Sequence, residues 1–105
     1  NVDARSPTTG RAALHESAVR GDNASAALLL KAGASVGLRT FLGGDTPLHL
    51  AAAAAVARPG ARDVAALLVQ HGADLDATNR YGQTALHYTT SPLVVKLLIT
   101  RGASV

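Results

Sequence analysis

The sequence predicts an all-α solenoid of three stacked helix-turn-helix units, with hairpin turns projecting between them. Composition is the first observation. Of 105 residues, 22 are Ala and 15 are Leu, against three aromatics. The apolar half of the chain is therefore dominated by helix formers, with few of the β-branched and aromatic residues that favour sheets. Repetition is the second observation. Ala13-Leu14-His15, Pro47-Leu48-His49 and Ala85-Leu86-His87 each precede a Leu-rich run that ends in Gly-Ala, at Gly33-Ala34, Gly72-Ala73 and Gly102-Ala103. Apolar spacing is the third: Leu48, Ala51 and Ala52 fall at i, i+3 and i+4, as do Val64, Leu67, Leu68 and Val94, Leu97, Leu98.

Each element has a local cause. In the first unit the opening helix starts at Ala12-Ala13, without a capping side chain, and the second starts at Asp22 or Asn23. In the second unit Thr46 is the expected N-cap. Pro47 then occupies the first helical position, where its missing N–H costs nothing. His49 lies 23 residues before Gly72, whereas His15 lies 18 before Gly33. This five-residue surplus, within 51–62, predicts a lengthened first helix closed by a turn at Arg58-Pro59-Gly60, because Pro59 disfavours helix at Arg58. In the third unit only 15 residues separate His87 from Gly102. There Ser91-Pro92 is expected to cap the second helix almost without a loop. Gly33, Gly72 and Gly102 end the second helices, where a left-handed residue is least costly for Gly.

These motifs resemble the ankyrin repeat family, whose Thr-Pro-Leu-His-x-Ala pattern stands almost complete in Thr46-Pro47-Leu48-His49-Leu50-Ala51. The resemblance covers essentially the whole chain. It implies a single domain over 1–105 with approximate repeats 3–36, 37–75 and 76–105. It also implies that His15, His49 and His87 bond backbone and help stitch the stack. Thr89 and Thr90 stand where the family has Ala, which predicts looser packing of that helix. The stretches Asn1-Val2-Asp3-Ala4 and Gly102-Ala103-Ser104-Val105 read as parts of turns shared with neighbouring units. Together with the absence of Met, this leads us to expect a window on a longer array.

Several chemistries are excluded. No Cys is present, so there is no disulfide, thiolate zinc site or cysteine nucleophile. No apolar run is long enough to span a membrane. His15-Glu16 opens like the zinc-protease pattern, but position 19 is Val. Equivalent His residues in stacked units stand roughly 10 Å apart, too far to share a metal ion. No phosphate-binding Gly loop exists, and no nucleophile meets His and carboxylate at useful spacing. The expectation is a non-enzyme without cofactor or metal. An intracellular location, cytoplasm or nucleus, fits the lack of Cys.

Function is expected on the fingers and the exposed side of the first helices. Solenoids present such extended surfaces, which the family uses to bind partner proteins or peptides. Placement residue by residue puts Arg5, Arg11 and Arg20 there from the first unit. The second unit contributes Arg39, Phe41, Leu42 and Asp45, and the third Arg80, Tyr81, Gln83 and Tyr88. Tyr81 is a hot-spot residue type, and an exposed Phe41-Leu42 pair at a finger tip has little other reason to be there, though Phe41 folded between fingers would only stiffen them. Five Arg against Glu16 and Asp45 favour an acidic peptide or protein. The net charge is only +3 and the basic residues are scattered, which argues against nucleic acid. A scaffold or regulatory role follows. The alternative is a regulatory or tethering segment of a larger enzyme or channel, joined to flanking repeats or domains. Of the Ser/Thr-Pro pairs, Thr46-Pro47 and Ser91-Pro92 are explained by capping, which leaves Ser6-Pro7 as a phosphorylation candidate.

Overall fold

Six helices follow one another in pairs: α1 (Ala13–Arg20), α2 (Asn23–Lys31), α3 (Pro47–Ala54), α4 (Pro59–Gln70), α5 (Ala85–Tyr88) and α6 (Pro92–Thr100). The structure, a computed structural model, describes residues 2–103. Asn1, Ser104 and Val105, assigned above to shared turns, lie outside the described residues. Helices α1, α3 and α5 pack in one row and α2, α4 and α6 in a second. The all-α solenoid is therefore observed.

Local chemistry starts and stops the helices as the residues dictate. Asp22 caps α2, accepting from the Ser25 N–H at 3.1 Å and the Ser25 hydroxyl at 2.7 Å. These bonds, the hydroxyl first, hold its carboxyl below the usual range. Thr46 caps α3 ahead of Pro47. Each second helix closes in one motif: the Gly33 and Ala34 N–H groups reach Leu30 and Leu29 carbonyls at 3.1 and 3.0 Å, and Gly72-Ala73 and Gly102-Ala103 do likewise. Gly33 has φ +94°, which only Gly adopts cheaply.

The core is built from the stripes the spacing predicted, and position in the stack decides how many stripes are buried. Helix α4 lies between α2 and α6 and buries Ala61, Val64, Ala65 and Leu68. Each outer helix has a neighbour on one side only within its row. So α2 buries Ala26 and Leu30, and α6 buries Val94 and Leu98, each pair at i, i+4. Leu28, Leu93 and Ile99 point away from the core and are exposed.

Two expectations are corrected. The five surplus residues do not lengthen α3, which has eight residues like α1. They add two residues to the connecting loop and three to the start of α4, which runs to 12 residues against nine in α2. Pro59, well placed at a first helical position, starts α4 early. The extension is packed rather than loose. A Cβ on Gly60 would lie 1.9 Å from the Gly21 carbonyl oxygen, and the Arg58 guanidinium reaches the Arg20 carbonyl at 3.5 Å. The third unit's deficit likewise falls on a helix and not on the loop. Helix α5 is a single turn, and Thr89 is extended at φ −88°, ψ 139°. Thr89 is buried, its hydroxyl accepting from the Ser91 N–H at 3.1 Å ahead of the cap.

Gly60→Ala should lower stability by about 1–3 kcal/mol through overpacking against Gly21. Gly37→Ala, with open space and no left-handed φ, should be neutral or stabilising by about 0.4–1 kcal/mol. Urea midpoints of the two variants check both, and equal midpoints would show that α4 does not seal against α1.

Candidate functional site

Three fingers precede the first helices, each closed at its neck by a backbone bond. Ser6 N–H reaches the Arg11 carbonyl at 2.8 Å, Thr40 reaches Asp45 at 3.0 Å, and Asn79 reaches Gln83 at 2.9 Å. Gly10, Gly44 and Gly82 take positive φ at the same place in each. Fingers are joined side by side as well. The Phe41 N–H donates to the Thr9 carbonyl and the Arg80 N–H to the Gly43 carbonyl, both at 2.9 Å.

The recurring histidines tie fingers to helices. Each ring takes the N–H of its own helix's N-cap residue on Nδ1: Ala12 to His15 at 3.0 Å, Thr46 to His49 at 3.2 Å, Thr84 to His87 at 3.0 Å. That acceptor role implies the tautomer with the proton on Nε2. His15 Nε2 donates to the Leu38 carbonyl at 2.8 Å, and His49 Nε2 to the Gln83 carbonyl at 2.8 Å. Both acceptors belong to the next unit. His87 is exposed, and among the described residues no acceptor stands against its Nε2. Burial lowers the His15 pKa from 6.5, with Arg11 and Arg5 adding to the fall and the Leu38 and Asp45 carbonyls opposing it.

Most of the anticipated arginines carry structural bonds. Arg5 and Arg39 hold equivalent places in successive fingers. The Arg5 guanidinium donates to the Arg39 carbonyl at 2.6 Å, and that of Arg39 to the Thr78 carbonyl. Arg80 donates to the Phe41 carbonyl at 2.9 Å. Arg11 pairs with Glu16 at 3.4 Å, and exposed Arg20 approaches the same carboxylate at 3.9 Å. Fully solvated arginines are thus not what the fingers present.

Phe41 serves both readings. Its ring lies over Gly10, where a Cβ would sit 2.5 Å from a ring carbon, and the Arg5 guanidinium stands 5.4 Å from its centroid. Even so, Phe41 stays 45% exposed, while Leu42 and Tyr81 are each 72% exposed.

Asp45, Gln83 and Tyr88 meet around a residue that sequence reasoning passed over. Buried Asn79 sets its Nδ2, with two N–H donors, among three acceptors: Tyr88 OH at 2.6 Å, Asp45 Oδ1 at 3.0 Å and Gln83 Oε1 at 3.3 Å. Its Oδ1 accepts the Tyr81 and Gln83 N–H groups at 2.9 and 3.0 Å. Tyr88 donates onward to Asp45 Oδ1 at 3.0 Å, and its ring meets His49 edge-on at 5.4 Å between centroids. Burial first, then Asp45, pushes the Tyr88 pKa up, so the phenol stays protonated. Tyr88 is therefore a half-buried member of the finger base and not a free binding side chain. The signal for Asn79 was its place before Gly82, because Asn in turns bonds backbone two residues on.

Stacked helix pairs with hydrogen-bonded fingers define a repeat solenoid, whose working part is an extended surface. Among the described residues no His, Asp or Glu cluster is arranged to hold a metal. The family described as Ankyrin repeats (3 copies) matches residues 1–79 and again 43–105. This chain belongs to the ankyrin repeat family. It is 36% identical over 102 residues, 97% of its length, to ankyrin repeat and SOCS box protein 11 of Danio rerio, covering 32% of that protein. It is 41% identical over 71% of its length to human B-cell lymphoma 3 protein, covering 17% of that protein. To human protein phosphatase 1 regulatory subunit 27 it is 42% identical over 70% of its length, covering 44%. The chain thus spans less than half of each of these relatives. Ankyrin repeats are in general protein-interaction modules and typically non-catalytic. No helix among the described residues is long and apolar enough to cross a membrane.

His49→Ala strands the Gln83 carbonyl and the Thr46 N–H and should cost about 1–3 kcal/mol. His87→Ala removes only the cap bond and should cost less; comparing their thermal midpoints decides. For His15, the lowered folded pKa means that the unfolded chain binds the proton more readily. Its contribution is then complete above the unfolded value of 6.5 and declines as pH falls through the lower folded value. Proton NMR should give His15 a titration midpoint below 6.5, and a midpoint at or above it would contradict the burial argument.

Proposed function

We propose that the chain is a non-catalytic protein-interaction module that binds a partner protein or peptide along its finger tips and first-helix side. The carrying observation is the exposure of Phe41, Leu42 and Tyr81 on neighbouring fingers that are hydrogen-bonded to each other. A rigid platform reduces the ordering cost of binding, and exposed aromatics with nearby Arg are the residue types on which binding energy concentrates. Arg5, Arg39 and Arg80 lie in the fingers, Arg11 at a finger neck and Arg20 at the far end of α1, with Asp45, Gln83 and Tyr88 at the finger base. Guanidinium groups hold donors to spare beyond the bonds described. An acidic partner fits them best.

A regulatory or tethering role within a larger assembly is the second reading. It is favoured by the similarity to a protein named as a regulatory subunit of protein phosphatase 1, and by the small share of each relative that this chain spans. Scaffold and regulator share the same surface.

The test is a binding measurement, with partners captured by the wild-type chain then titrated by calorimetry. Phe41→Ala/Tyr81→Ala should weaken affinity about tenfold or more if these are hot spots. Arg20→Glu, at an exposed guanidinium with no role in finger stacking, should weaken an acidic partner further, most at low ionic strength. Unchanged affinity in the double variant, with the fold intact by circular dichroism, removes the finger-tip site.

A further inference from the structure

Three Ser/Thr-Pro pairs occur in the chain, and the fold separates one from the others. Thr46 and Ser91 are buried, and each hydroxyl accepts a helix N-terminal N–H. Neither can be reached by an enzyme without unfolding a helix start. Ser6 is partly exposed, and among the described residues its hydroxyl meets that of exposed Thr8, at 3.1 Å.

The first finger also differs from the others in the chemistry of its outer edge. In the second and third fingers, the N–H of Phe41 and of Arg80 bonds the preceding finger. The equivalent residue in the first finger is Pro7, which has no N–H to donate. Two arginines neighbour Ser6 along the backbone, with their guanidiniums turned to the Arg39 carbonyl and to Glu16. Arg5 precedes Ser6, and Arg11 lies directly across the finger neck, bonded backbone to backbone at 2.8 Å. Arg11 shares Glu16 with Arg20, so that carboxylate keeps a partner if Arg11 turns away.

We propose that Ser6 is a phosphorylation site for a proline-directed protein kinase, with the phosphate held by Arg5 and Arg11. Ser6 Oγ attacks the γ-phosphorus of Mg-ATP, and an O–P bond forms. The bond from that phosphorus to the β–γ bridging oxygen breaks, ADP leaves, and the hydroxyl proton passes to the kinase's carboxylate base. The product adds about −1.5 to −2 of charge and three acceptor oxygens in the finger that carries Arg5 and Arg11, against a formal net charge of +3 for the whole chain. Arg5 also bonds the Arg39 carbonyl and lies over Phe41. Drawing Arg5 to the phosphate frees that ring and lowers the positive charge at the finger tips. This last consequence, regulation of partner binding, rests on the interaction reading above; the site itself does not.

The experiment incubates the folded chain with a mitogen-activated protein kinase and Mg-ATP, then maps phosphate by tandem mass spectrometry. Peptides carrying each Ser/Thr-Pro pair serve as controls. The expected result is phosphate on Ser6 alone in the folded chain, lost in Ser6→Ala, with the Thr46 and Ser91 pairs modified only as peptides. Modification of folded Thr46 or Ser91 as fast as Ser6, or an unmodified Ser6 beside a modified peptide 1–12, overturns the site. Phosphorus NMR tests the clamp: the second phosphate pKa should fall at least about half a unit below that of the peptide and return in Arg5→Gln/Arg11→Gln. A phosphate titrating as in the peptide overturns the clamp. Partner affinity, measured separately, tests only the regulatory consequence.

Discussion

A neutral imidazole has one lone pair to offer and one proton to give, and the order of this stack depends on using both. The lone pair closes the start of the ring's own helix, and the proton reaches a carbonyl of the next unit. The His15 and His49 rings therefore fix a helix start and the distance to the next finger with one side chain. Protonation would leave the N-cap N–H facing a second donor, so the arrangement requires the neutral form that burial favours at His15. Because successive rings bond successive fingers, equivalent side chains form rows and do not converge on a reactive centre. That geometry suits an extended surface.

The fingers repeat the same logic with different groups. Phe41 and Arg80 join neighbours through main-chain N–H groups, and the Arg5 and Arg39 guanidiniums each bond the main chain of the equivalent residue one unit on. At the base, Asn79 gathers Asp45, Gln83 and Tyr88 and satisfies polar atoms that would be costly to bury alone. The exposed residues at the tips thus stand on a hydrogen-bonded row. Positions fixed in this way limit the entropy that the proposed association would lose.

Where the units depart from one another, packing absorbs the difference in helices. The second unit's surplus starts α4 early and brings Gly60 onto Gly21, an approach only glycine permits. The third unit's deficit cuts α5 to one turn and leaves Thr89 and Ser91 to cover the gap with their own hydroxyls. The surplus was expected in a longer first helix and the deficit in the loop. Pro59 and Pro92 instead set where the second helices start, so α4 takes three surplus residues and its loop two, while α5 is cut short.

The residues themselves determined most helix starts, the glycine stops and the apolar stripes, while the bridging role of the histidines followed from the family resemblance. The first three are local effects: a cap, a positive φ or a spacing of three and four acts within one turn and reads directly from order along the chain. Stacking decided the rest. Leu30 is buried while Leu28 is bare because α2 has a neighbour on one side only, which no property of the Leu run could reveal. Arg5, Arg39 and Arg80 read as solvated charge in one dimension, yet they lie within reach of carbonyls 34 to 39 positions away once the units stack. Asn79 became the hub of the finger base for the same reason. Its partners Asp45 and Tyr88 are 34 and nine positions distant, and only the fold brings them within hydrogen-bond range.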